Sequence, residues 1–154
     1  MASTSVTLRF LTAKQVRGIY RMYIMSASPT QPEMLESATA SPLNNKYYGE
    51  ENLFRLAAIL ASRIIKNHAF QDGNKRAALY SADMFLKING YQLQKKPMAP
   101  DDEELNQALT DAHVAVATDV WTEEELGDYY ESIAQPLEHR GKTVKKFRDE
   151  AEKA

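Results

Sequence analysis

The chain has 154 residues, 44% hydrophobic and 26% charged, with a formal net charge of -2. That size suits one domain able to bury its own core, and the mild acidity disfavours a general nucleic-acid binder, which would carry a basic face. No Cys is present, which excludes disulfides and thiolate chemistry, and His68, His113 and His139 are too far apart for a zinc motif. No run of about 18 apolar residues occurs, so the expectation is a soluble, cytoplasmic protein with no membrane partner.

The pattern is helical nearly throughout. Thr12 and Gln15 form a capping box, and Val16, Ile19, Tyr20 and Tyr23 follow at helical spacing. Pro32 can open a short helix through 33–38 that Pro42 closes. Residues 44–50, NNKYYGE, read as a turn-rich hairpin or loop. A helix over about 51–67 is apolar around more than half its circumference, which places it at the centre of a bundle. A further helix spans about 75–89, with Asn89-Gly90 as its stop. Two more follow, one after Pro100 and one opened by the capping box of Thr122 and Glu125. His113 reads as a packed structural histidine and His139 as solvated. Residues 137–154 read as a charged tail or peripheral helix beside a domain at 1–136, and no strand pattern supports a sheet. The fold class expected is all-α.

Between the two most apolar helices stands NHAFQDGNKR, residues 67–76. A Gly-containing loop entering a helix offers unpaired N–H groups at the positive end of the dipole. Lys75 and Arg76 stand unfavourably at that end, and a polyphosphate would relieve the conflict. Asp72 can hold the Mg²⁺ that accompanies nucleotide phosphates, and His68 can take a proton from an attacking hydroxyl. Asn74 can orient a phosphate or the loop itself, and a buried Phe70 would anchor the loop. The competing reading of the segment is an ordinary polar connection between two helices.

The run HAFQDGNKR resembles the signature of the Fic/Doc (Fido) family, H-x-F-x-D/E-G-N-G/K-R, through His68, Phe70, Asp72, Gly73, Asn74, Lys75 and Arg76. LTAKQV, MLESATASP and FLKINGYQL extend the likeness over residues 8 to about 133, closest to the Doc (death-on-curing) toxin branch. Fic enzymes commonly carry a Gly where Lys75 stands, a second Arg where Leu79 stands, and Pro where Ala69 stands. The resemblance implies a Fido-type helical bundle with a short flap or hairpin before the central helix. It implies ATP and Mg²⁺ as cofactors, His68 as general base, Asp72 as metal ligand, and Gly73, Asn74, Lys75 and Arg76 as phosphate ligands. Lys46, Tyr47 and Tyr48 correspond to the flap that docks a protein target. The Doc branch transfers the γ-phosphate to a Ser or Thr hydroxyl, of a translation factor in its known case, with the nucleotide reversed relative to Fic enzymes, which attach AMP. The family's self-inhibitory motif is absent, which leaves a partner antitoxin or inhibitor as one means of restraint. The readings carried forward are therefore γ-phosphate transfer, adenylylation, and a catalytically silent binding module.

Overall fold

The computed structural model describes residues 7–154, so the first six residues of the domain expected at 1–136 lie outside the described residues. Seven helices are present among them: α1 Ala13–Tyr23, α2 Pro32–Tyr47, α3 Leu53–Asn67, α4 Asn74–Ile88, α5 Glu103–Ala117, α6 Glu123–Ile133 and α7 Lys142–Glu150. The architecture is all-α, as the periodicity predicts. The strands are only two residues each: β1 Arg9–Phe10 pairs antiparallel with β4 Glu152–Lys153, and β2 Tyr91–Gln92 with β3 Gln135–Pro136.

Local chemistry sets the helix ends. Thr12 accepts from the Gln15 N–H at 3.2 Å while the Gln15 side chain accepts from the Thr12 N–H, so both orphan donors of the first turn are satisfied. Thr122 and Glu125 repeat the device on α6. The Asn52 carbonyl oxygen accepts from the Phe54 and Arg55 N–H groups and opens α3.

α3 is the axis of the molecule, as its wide apolar surface requires; α2, α4 and α6 pack on it, and Leu56, Leu60 and Ile64 are fully buried. α6 crosses it closely at Gly127, where an added Cβ would stand 3.1 Å from the Arg55 Cα. Any larger residue there would push the two helices apart.

Two sequence expectations change. Pro42 does not close α2, which runs on to Tyr47. Leu35, Ala38 and Pro42 form one buried face, and that packing offsets the ladder bond Pro cannot donate. The Ser41 hydroxyl donating to the Ser37 carbonyl and the Asn45 amide donating to the Ser41 carbonyl occupy acceptors around the break. In consequence the hairpin expected at 44–50 is the last turn of α2 followed by a tight turn through Gly49 at φ 108°. Of the two readings of residues 137–154, the peripheral helix forms, as α7 packed on the body. Phe147 and Ala151 join the common core, and the Gln15 side chain donates to the Phe147 carbonyl at 2.8 Å.

Most buried polar groups are paired, the exceptions among the described residues being Arg55 Nε, the Ser81 hydroxyl and Gln94 Oε1. His113 contacts the Leu109 carbonyl through Nδ1 at 2.7 Å and the Tyr130 hydroxyl through Nε2 at 2.6 Å, which fits a neutral ring donating from Nδ1 and accepting at Nε2. Burial lowers its pKa to about 4. The structural assignment of this histidine therefore holds. Asp83 and Lys87, one turn apart inside α4, pair at 2.8 Å, and Asp83 also accepts from the Leu93 N–H, fixing the chain beyond α4.

Candidate functional site

The polar segment joins the end of α3 to the start of α4. His68 is the C-cap of α3, held at φ 48°, ψ 50°. Gly73, at φ 77°, is the N-cap of α4 and supplies no side-chain cap. An added Cβ at Gly73 would meet Ile24 at 3.0 Å and Tyr20 at 3.5 Å, so both the dihedral and the space call for glycine.

Asn74 holds the loop from within. Its side chain is buried; the carbonyl oxygen accepts from the Phe70 N–H at 3.1 Å, and the amide donates to the Phe70 carbonyl at 2.7 Å. The same amide lies 3.3 Å from His68 Nδ1. The Asn74 side chain is thus spent on the loop and on the histidine ring, and what it can offer an anion is its backbone N–H.

Phe70 is fully buried and stacks on Tyr20 at 3.9 Å between ring centroids with a 5° interplanar angle. The Tyr20 hydroxyl donates to the Asp72 carbonyl at 2.8 Å. Burial first, then the Asp72 carboxylate, raises the Tyr20 pKa, while Arg76 lowers it. The phenol is therefore a protonated donor at neutral pH. Tyr20 is a site-building residue that the sequence pattern offered only as one of α1's apolar positions.

Outward, the loop presents a cavity of about 290 Å³ lined by Lys66, His68, Gln71, Asp72, Gly73 and Lys75, among others. The first-turn N–H groups of Asn74, Lys75 and Arg76 have no protein acceptor among the described residues, and no acidic residue lies in that turn. Lys75 and Arg76 are exposed and have no carboxylate partner there. Uncapped N–H groups, the positive end of the dipole and two unpaired cations make a strong anion site. On its other side Lys66 is paired with Asp119.

Asp72 is exposed, and one carboxylate oxygen accepts from the Gly73 N–H at 2.8 Å. No group of three or more acidic or His side chains able to hold a metal occurs among the described residues. A lone carboxylate suits Mg²⁺, which commonly takes one or two protein carboxylates and completes its shell with phosphates and water. It does not suit a resident metal cage. Asp72→Ala should accordingly lower the affinity for Mg-ATP at least about tenfold by calorimetric titration, since charged contacts are worth about 1.5–3 kcal/mol each. Unchanged affinity would move the metal ligand elsewhere.

The structure does not bring the segment expected to dock a target, Lys46, Tyr47 and Tyr48, to the loop. The carbonyls of His68 and Ala69 bond to Gln31 and Thr30, and the Asn67 side chain donates to the Met34 carbonyl, so the start of α2 lies against the end of α3. The two helices are antiparallel. Lys46, Tyr47 and Tyr48 therefore stand at the other end of the pair, about 20 Å away along the 15-residue α3. Tyr47 and Tyr48 are 74% and 92% exposed, but not beside His68. The segment that borders the loop is 24–31, between α1 and α2, which the sequence showed only as a helix break.

A model of the Fic/DOC family matches residues 4–86, more than half of the sequence, and the chain belongs to that family. Toxin Doc of Mycolicibacterium smegmatis is 44% identical over 63 residues, a stretch covering 39% of this chain and 48% of that protein. The match thus spans about half the length of that curated relative. Proteins of the family transfer nucleotide or phosphate groups. Among the described residues no helix is long and apolar enough to cross a membrane.

Proposed function

We propose that this protein transfers the γ-phosphate of ATP to a Ser or Thr hydroxyl of a target protein. The observation that carries the reading is the geometry at the start of α4. Uncapped N–H groups and the unpaired Lys75 face the cavity that also holds His68 and Asp72, with Arg76 beside them in the same first turn. In this reading His68 accepts the hydroxyl proton as the oxygen attacks the terminal phosphorus and ADP leaves. Lys75, Arg76 and the N–H groups of Gly73 and its successors hold the phosphates. Mg²⁺, held by Asp72, would neutralise phosphate charge. The segment 24–31 is placed to meet the target, and the likeness to Toxin Doc supports a toxin restrained by an antitoxin protein.

Leu79 favours phosphate over AMP as the group moved. It occupies the position of the second Arg of Fic enzymes and is buried, so nothing there grips a β,γ pair from the far side. Adenylylation is the alternative this departure weighs against. A silent binding module fits less well, because His68, Asp72, Gly73, Asn74 and Lys75 line one cavity. In a cell lysate, ATP labelled at the γ-phosphate should mark a protein, and ATP labelled at the α-phosphate should leave it unmarked. The opposite labelling would replace the reading with adenylylation.

A further inference from the structure

Most of the loop backbone is tied down by its neighbours. Gln31 and Thr30 hold the Ala69 carbonyl, the Asn74 side chain holds both backbone groups of Phe70, and the Ala77 N–H holds the Gly73 carbonyl. For the backbone of Gln71 and Asp72, the one such contact among the described residues comes from α1. There the Tyr20 hydroxyl donates to the Asp72 carbonyl at 2.8 Å, across 52 positions of sequence. Tyr20 is a rigid donor. Its ring is buried, stacks on Phe70, and lies 3.5 Å from where a Cβ on Gly73 would stand.

The C=O and N–H of a planar trans peptide point in opposite directions. The Asp72 carbonyl and the Gly73 N–H belong to one such peptide. With the carbonyl drawn inward to Tyr20, the N–H points outward, where it meets a carboxylate oxygen of Asp72 at 2.8 Å. That outer side is the cavity shared with His68 and Lys75. Glycine tolerates either sign of φ, so residue 73 does nothing by itself to stop this peptide from turning over. Turned over, it would offer an anion a carbonyl oxygen in place of a donor. We infer that Tyr20 is a positioning residue for the phosphate site, its hydroxyl fixing the 72–73 peptide so that the Gly73 N–H faces the incoming phosphates. The inference rests on the phosphotransfer reading above and adds to it a residue of α1 that touches no substrate.

The test applies calorimetric titration and amide NMR to the full chain and to Tyr20→Phe, with Mg-ATP and metal-free tripolyphosphate as probes. Tyr20→Phe keeps the ring on Phe70 and removes only the hydroxyl. Its affinity for both probes should fall about tenfold, the scale of one hydrogen bond to a charged group, at a temperature where both proteins are folded. In the parent, tripolyphosphate should shift the Gly73 amide resonance together with those of Asn74 and Lys75. In Tyr20→Phe the Gly73 shift should be lost while the other two persist, a change that a merely destabilised fold does not produce. Unchanged affinity in Tyr20→Phe would overturn the proposal, as would a fall in affinity that leaves the Gly73 shift intact. A parent Gly73 amide that ignores bound tripolyphosphate would overturn it as well, and that result stands even if Tyr20→Phe folds poorly. A parent that binds neither probe would overturn the phosphotransfer reading, and this proposal with it.

Discussion

Replacing His68 by Ala should lower the rate of transfer by about 10²–10⁴-fold, the range a positioned general base contributes. His68 is exposed at the end of α3, and its side chain fills no part of the core. The fold should therefore survive. The one structural cost is local, since residue 68 sits in the left-handed region at φ 48°, where Ala is less at ease than Asn. His68→Asn removes that concern, and both variants should show the same kinetic loss with Mg-ATP affinity near the parent's. Full activity in His68→Asn would sink the general-base assignment. A large fall in melting temperature in both variants would mark the residue as structural.

Replacing Phe70 by Ala should cost about 3–5 kcal/mol, the usual range for emptying a buried aromatic site. For a chain of this size that corresponds to a fall in melting temperature on the order of 10 °C. The loss reaches the site through a short path. Phe70 stacks on Tyr20, and Tyr20 holds the Asp72 carbonyl. The Phe70 backbone in turn bonds the Asn74 side chain that touches His68. Removing the ring unseats both Asp72 and His68, so activity should fall further than the unfolded fraction explains. Phe70→Leu keeps most of the buried volume and should lie between Ala and parent in both respects. A Phe70→Ala protein that melts like the parent would show that the loop is not anchored from below.

Much of this was legible in the residues themselves, for identifiable reasons. The capping boxes at Thr12 and Thr122 satisfy orphan donors through local chemistry, and both are present as written. α3 could be placed at the centre because its apolar surface is too wide for any other position. The polar segment stood out since a core connection seldom carries so many hydrogen-bonding groups. What escaped depends on packing across the chain. Pro42 breaks a ladder bond locally, but its buried face on α3 keeps α2 helical, and no local rule weighs that. Prolonging α2 carries Tyr47 and Tyr48 to the end of the α2–α3 pair away from His68. Tyr20 lies 52 positions from Asp72 in sequence, and its hydroxyl contact exists only once α1 crosses the start of α4. Burial of Phe147 escaped a local reading, because the surface that receives it belongs to α4 and to Gln15 of α1.

The central claim is that the terminal phosphorus, not the α-phosphorus, lies in line with the hydroxyl that His68 deprotonates. The mass of the modified target after reaction with unlabelled ATP tests this most directly. The account predicts the addition of one phosphate on a Ser or Thr, with ADP released and the addition absent when His68→Asn is used. An addition of AMP on the same hydroxyl, with pyrophosphate released, would contradict it.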